Sequence, residues 1–256
     1  MKQLAESYAD GVEDVDADLV EGQAAEEICR RTREQAAELV VLGTHGERAS
    51  GEYAIGNTAR NVLDRAAGSV LLVPVFTASS HPHYRRILVP LDGSSWSESV
   101  VPLAARLAHA ADAELVLAHV VPVPELTETG PLEADDLELR GRLVDRNERV
   151  ARSYLDRVRG YAAELCPKVR AMTLHGDDVR VSLTNLIGSE HVDLVVLSAR
   201  GHGGNRVFDM PYGNVAAYLV THLPVPTLIV RPTGSPSIIP TASKREAGRP
   251  PARPVS

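Results

Sequence analysis

The chain has little cysteine, no long apolar run and no surplus of basic charge. Its two cysteines, Cys29 and Cys166, lack metal-type spacing. Cys29 falls in a helical apolar pattern and Cys166 precedes Pro167 at a helix end, so both read as buried or idle thiols of a reducing cytosol. No apolar run reaches the roughly 18 residues that span a bilayer. The first six residues carry no apolar core of a signal peptide. Lys and Arg number 27 against 34 Asp and Glu, a net charge of −7, which argues against binding nucleic acid through bulk charge. The expectation is a soluble, cytoplasmic protein without a nucleic-acid or membrane partner.

What is present is a repeat. Val40-Val41-Leu42-Gly43-Thr44-His45-Gly46, then Gly56-Asn57, is echoed by Val195-Val196-Leu197-Ser198-Ala199-Arg200-Gly201, then Gly213-Asn214. The offset is 155 in the first half (201 − 46) and 157 in the second (213 − 56). A loop recurring in this way marks a duplicated unit. With 256 residues and 44% hydrophobic content, each unit can bury a core.

In the first unit, Val12, Val15, Leu19 and Val20 give a weak strand among acidic residues. Ala25, Ile28, Cys29, Thr32 and Ala36 trace a helix. Residues 39–43 read as a strand buried on both faces. Asn57 is the expected N-cap of a helix carrying Ala59, Val62, Leu63 and Ala66 and ended by Gly68. Residues 70–73 form a last strand, closed by Pro74.

In the second unit, strand 87–91 ends at Asp92-Gly93, and Ser95 to Glu98 reads as a capping box. A helix with a kink at Pro102, strand 115–121 and a proline-broken loop follow. Next come a long amphipathic helix from Leu137 to Leu165, strand 169–174, helix 179–187, strand 194–197, the echoed loop, a helix with Val215, Leu219 and Val220, and strand 225–230. Alternating strands and helices predict an α/β fold with a parallel sheet. The boundaries expected are a partial domain at 1–76, a linker at 77–84, a complete domain at 85–231 and a proline-rich, disordered tail at 232–256.

Ile87-Leu88-Val89-Pro90-Leu91-Asp92-Gly93-Ser94 resembles the opening strand of the universal stress protein family. Gly43, Gly46 and Gly56 resemble that family's nucleotide loop. The resemblance covers a whole domain in the second unit and a C-terminal half in the first. It implies an open parallel five-stranded sheet of order 3-2-1-4-5, the adenine nucleotide alpha hydrolase-like fold, with ligand at the carboxyl ends of the strands. It also implies pairing between fifth strands, within the tandem or between chains as a homo-oligomer. In that order the third strand of the first unit lacks its neighbours, leaving a gap of about 10 Å. Internal alignment sets Met1 near Leu155, so roughly seventy residues are missing relative to the second unit. The expectation is a start inside a longer reading frame, or a truncated remnant, with an orphan strand that packs poorly.

Glycines allow positive φ and close approach of phosphate oxygens, and a helix N-terminus adds a positive dipole. The resemblance assigns a ribose- or base-binding carboxylate to Asp92. The candidate site for ATP or another adenine nucleotide is Pro90, Asp92, Ala118, Ser198, Gly201, Gly204, Gly213 and Asn214. Gly43, Gly46, Gly56 and Asn57 form a weaker counterpart. Ser198 stands where the family has glycine, and Asn57 and Asn214 stand where it has Ser or Thr. Trp96 is read as stacking on a base or packing the linker. His45 and His202 are read as exposed loop histidines, Arg48 and Arg206 as surface charges, and Asp177-Asp178 as serving a helix N-terminus. No catalytic residue and no metal ligand is assigned, since Ser94, Ser95 and His175 form no readable triad. The first reading is a ligand-binding stress-response module. A dimerisation scaffold without nucleotide is the alternative, and a slow ATP hydrolase ranks last.

Overall fold

The computed structural model describes residues 15–44, 55–74, 84–122, 134–201, 213–222 and 224–231. The first unit supplies α1 (Ala24–Glu34), β1 (Leu39–Gly43), α2 (Asn57–Arg65) and β2 (Ser69–Val73). The second begins with β3 (Arg86–Pro90), α3 (Ser95–Glu98), α4 (Val101–Ala110) and β4 (Glu114–Val121). It continues with α5 (Ala134–Ala163), β5 (Val169–His175) and α6 (Val179–Ser189), and ends with β6 (Leu194–Ser198), α7 (Asn214–His222) and β7 (Thr227–Val230).

All seven strands form one sheet, in the order β1-β2-β7-β6-β3-β4-β5. Counted within the second unit, β3 to β7 follow the expected order 3-2-1-4-5. Every neighbouring pair is parallel except β2 and β7. These are the fifth strands of the two units, and they pair with each other inside the chain.

The duplication holds to the level of register. Val40 pairs with Val70 as Val195 pairs with Thr227, and Gly43 with Val73 as Ser198 with Val230. The offsets are again 155 (195 − 40) and 157 (227 − 70). Across the antiparallel seam Val70 faces Ile229, Leu71 faces Leu228 and Leu72 faces Thr227. Leu71 and Leu228 are equivalent residues, so a local two-fold axis passes between them.

Side chains alternate across a strand, and the sheet accordingly has a core on each face. One core is continuous through both units, built on Val62, Leu63, Val70, Leu72, Leu88, Val116, Leu183, Leu219 and Ile229. The opposite core belongs mainly to the second unit, where Ala104, Leu155 and Val158 of the helices meet Ile87, Val89, Leu115, Leu117, Val196 and Leu228. Each fully buried Val, Leu or Ile contributes about 1.5–3 kcal/mol of transfer free energy. The shared core and the seam therefore hold the partial unit on the complete one.

The second core does not extend under β1. Residues 39–43 were expected to be buried on both faces, but β1 is an edge with one face bare. Leu39 is 47% and Val41 57% exposed, whereas their equivalents Leu194 and Val196 are 3% and 0% exposed. The physical reason lies beside β6, where β3 is hydrogen-bonded and the core that buries Leu194 and Val196 includes side chains of α4 and α5. Among the described residues the first unit has no counterpart of these elements. Residues 15–20 form no strand at all. That segment is tied to α1 by an ion pair between Asp18 and Arg31, and Leu19 is 86% exposed.

Four local readings are corrected. Gly56, not Asn57, caps α2, without a side-chain hydrogen bond, and that helix ends at Arg65 rather than at Gly68, which lies in the turn to β2. Ser94, not Ser95, caps α3. Pro102 does not kink a helix; it sits in the first turn of a new one, α4, after α3 has ended. Its missing N–H costs nothing there, because first-turn amides have no intrahelical partner. No helix among the described residues is long and apolar enough to cross a membrane.

Candidate functional site

β3 and β6 are hydrogen-bonded neighbours whose connections leave in opposite directions across the sheet. A crevice opens at the carboxyl ends of strands at such a point. Pro90 ends β3 in register with Ala118 of β4, and the Leu91 N–H donates to the Ala118 carbonyl (2.7 Å). The Ala118 side chain is buried in the core that runs through both units.

Asp92 follows, and a short network fixes its carboxylate. Oδ1 accepts from the Ser94 N–H (2.9 Å) and from the Ser94 hydroxyl (2.6 Å). The Asp92 N–H donates to the Ser97 hydroxyl (3.3 Å), which donates in turn to the Ser94 carbonyl (3.0 Å). Ser94 Oγ also accepts the Ser97 N–H (3.2 Å), so one hydroxyl both caps α3 and holds Asp92. Gly93 makes the turn with φ of +82°, a conformation that disfavours any side chain.

Across the crevice, β6 ends at Ser198, whose Oγ accepts the Arg200 N–H (3.2 Å). Gly201 comes next. A Cβ placed on Gly201 would lie 2.6 Å from Asp92 Oδ2, closer than real contacts allow. The Asp92 carboxylate therefore comes against the Gly201 backbone. The Arg200 guanidinium stacks on the indole of Trp96, 4.8 Å from the ring centroid. Trp96 is the chain's only tryptophan, and it packs on this arginine at the rim of the crevice.

α5 and β4 brace the β3–α3 turn from behind. The Arg157 guanidinium bonds the buried Glu98 carboxylate (2.6 and 3.3 Å) and lies over Tyr154 (5.4 Å). The Tyr154 ring meets His119 edge-on at 5.7 Å. His119 Nδ1 lies 2.8 Å from the Leu91 carbonyl oxygen, which can only accept, so this nitrogen carries the proton. Burial pushes the Tyr154 phenol above its usual range, and the Glu98 carboxylate adds to the shift. Sequence reasoning left His119, Tyr154 and Arg157 out of the site. Its partner is 59 residues away, and no local spacing reveals that.

Gly213 and Asn214 lie where α7 begins. The Ala217 N–H bonds the Gly213 carbonyl (2.9 Å), which makes Gly213 the cap and Asn214 the first helical residue. In the first unit Gly43 ends β1, and the Gly56 N–H donates to the Thr44 carbonyl (2.7 Å), bringing both ends of that loop together next to Asn57. The Thr44 N–H bonds the Val73 carbonyl as the Ala199 N–H bonds that of Val230, both at 2.9 Å. No counterpart of Asp92 exists beside this loop among the described residues. Gly46, Gly204, His45, His202, Arg48 and Arg206 lie outside those residues. Asp178 caps α6 through the Arg180 N–H (2.8 Å), and the Arg180 side chain and that N–H hold its carboxyl down at about 2.

The model of the universal stress protein family matches residues 1–74 and 83–231. The chain belongs to the universal stress protein family. A universal stress protein of Mycolicibacterium smegmatis is 26% identical over 199 residues, 77% of this chain, and the chain spans 63% of that relative's length. A universal stress protein of Thermus aquaticus is 30% identical over 149 residues, 58% of this chain and 99% of the relative. Among solved structures, a universal stress protein of Archaeoglobus fulgidus shares the fold with a TM-score of 0.62 at 17% identity, over 90% of this chain and 76% of that one. A functionally unknown Pseudomonas aeruginosa protein matches with a TM-score of 0.67 at 15% identity and the same coverages.

Proposed function

We propose that this universal stress protein is a cytoplasmic stress-response module that takes an adenine nucleotide, such as ATP or AMP, in its second unit. The observation carrying this reading is the approach of Asp92 to Gly201 across the mouth of the crevice. A carboxylate held by Ser94 accepts hydrogen bonds from ribose or base. On the other side, the Gly201 and Gly213 backbones and the first turn of α7 offer N–H groups and a positive dipole to phosphates. Pro90 supplies apolar surface for the base, and Arg200 brings a cation to the rim. The stress-response role rests on family membership.

The test uses the full chain with ATP, ADP and AMP, read by thermal shift and by the fluorescence of Trp96. A nucleotide at 100 times its dissociation constant is expected to add about 2.7 kcal/mol of stability and to change the tryptophan emission. Asp92→Ala and Gly201→Ala are expected to lose both responses while remaining folded. Absence of any response to all three nucleotides in the unaltered chain would overturn the proposal.

A further inference from the structure

Among the described residues, three arginines lie over rings. Arg157 covers Tyr154, Arg180 covers Tyr218 and Arg200 covers Trp96, at 5.4, 5.3 and 4.8 Å from the ring centroids. In the first two the guanidinium N–H groups also engage a carboxylate, Glu98 for Arg157 and Asp178 for Arg180. Arg200 differs. Its guanidinium meets no carboxylate among the described residues, although Asp92 lies against the neighbouring Gly201. Arg200 is nonetheless fixed at both ends. Its N–H donates to Ser198 Oγ (3.2 Å), and its guanidinium crosses from the end of β6 to the indole on α3. Trp96 is itself set by that short helix, where its carbonyl accepts the Ser99 hydroxyl (2.6 Å).

We propose that Trp96 positions Arg200 as the phosphate-reading group of the crevice, so that the site selects a ligand bearing a phosphate chain over the uncharged nucleoside. The inference rests on the reading of the crevice as a nucleotide site, and it names the part of that ligand the cation reads. A cation over an indole is attracted by the negative face of the ring. The contact engages the guanidinium without using its N–H donors, which form a rigid fork matched to phosphate oxygens. Without the indole, the same side chain would be drawn to the Asp92 carboxylate, and the two charges would neutralise each other. The platform keeps them apart. A carboxylate and a guanidinium held separately suit a ligand with hydroxyl donors at one end and anionic oxygens at the other. Asp92 takes the neutral donors and Arg200 takes the charge. Because Arg200 is exposed, its attraction for an anion is screened by salt.

Titration calorimetry of the full chain at low ionic strength tests the proposal, with adenosine, AMP, ATP and tripolyphosphate as probes. In the unaltered chain, affinity is expected to rise from adenosine to AMP to ATP, and tripolyphosphate is expected to bind by itself. Added salt should weaken ATP and tripolyphosphate but not adenosine. Arg200→Gln is expected to lower the affinity for ATP and tripolyphosphate about tenfold or more and to leave adenosine unchanged. Arg200→Lys keeps the charge without the fork and should fall between. Trp96→Leu keeps the cation and removes its platform, so it should lose the phosphate preference while circular dichroism shows an intact fold. Tripolyphosphate binding that depends on Arg200, with no gain from the adenine, would uphold the proposal and overturn the nucleotide reading. ATP binding that is no tighter than adenosine, or is unchanged in R200Q, would overturn the proposal and leave the nucleotide reading standing. A full phosphate preference in W96L would overturn the role given to Trp96, and no response to any probe would overturn both readings.

Discussion

Single residues at the two ends of the parallel strands have different tasks. At the carboxyl ends, Ser94 and Gly201 shape the surroundings of Asp92. At the amino ends, Glu114 accepts from Arg86 (2.8 Å) and Arg170 (3.0 Å), while Arg170 also reaches Glu190 (2.5 Å). Burial works to raise the Glu114 carboxyl, but the hydrogen bonds from Arg170 and Arg86 outweigh it, so it sits below the ordinary 4.5. The Arg170 hydrogen bond lowers Glu190 in the same way. A carboxylate whose folded pKa is depressed holds fewer protons folded than unfolded near that range. Its stabilisation is complete above the unfolded value and is lost as pH falls through the folded one. The urea midpoint is therefore expected to stay level above about pH 5 and to fall below it. Arg170→Met should flatten that acid limb, and denaturation series at several pH values check this.

At the scale of elements, the decisive contact is between α5 and the β3–α3 turn. The Glu98 side chain is 8% exposed and paired with Arg157, which is 30% exposed. Removing one partner of a fully buried pair costs about 3–5 kcal/mol, and the partial exposure of the arginine reduces this to about 2 kcal/mol. Arg157→Ala is expected to lower stability by that amount in urea denaturation, and Glu98→Gln with Arg157→Met to recover part of it. If the turn carries the ligand site, Arg157→Ala should also weaken any nucleotide response, because Ser97 and Glu98 share one short helix with the cap that holds Asp92. Most of these elements were legible in the sequence: strands as short apolar runs, helices as 3.6-residue patterns. The misplaced caps at Asn57 and Ser95 each differ from the observed cap by one residue. Capping depends on where the backbone leaves the extended conformation, which composition does not specify.

At the scale of the molecule, the seam between β2 and β7 joins the partial unit to the complete one. Leu71 faces Leu228 at its centre, and a continuous core runs beneath both units. Leu71→Lys places an ammonium group between the two leucine-rich strands. Calorimetry of this variant is expected to show two melting transitions where the unaltered chain shows one, with the first unit unfolding at the lower temperature. A single transition shifted as a whole would show that the shared core alone is enough to couple the units.

The sequence by itself determined the duplication, the α/β class and, through family resemblance, the strand order. These features are local, or repeat at a constant offset, so they survive in one dimension. Three matters were decided only by tertiary structure. The fifth strands pair within one chain, where Leu71 meets Leu228 across the antiparallel seam above a shared core. Residues 15–20 form no strand, because no neighbouring strand among the described residues offers them hydrogen-bond partners. Leu39 and Val41 are bare although their echoes Leu194 and Val196 are buried. Burial depends on what lies alongside, and the same apolar run is a core strand or an open edge according to its neighbours.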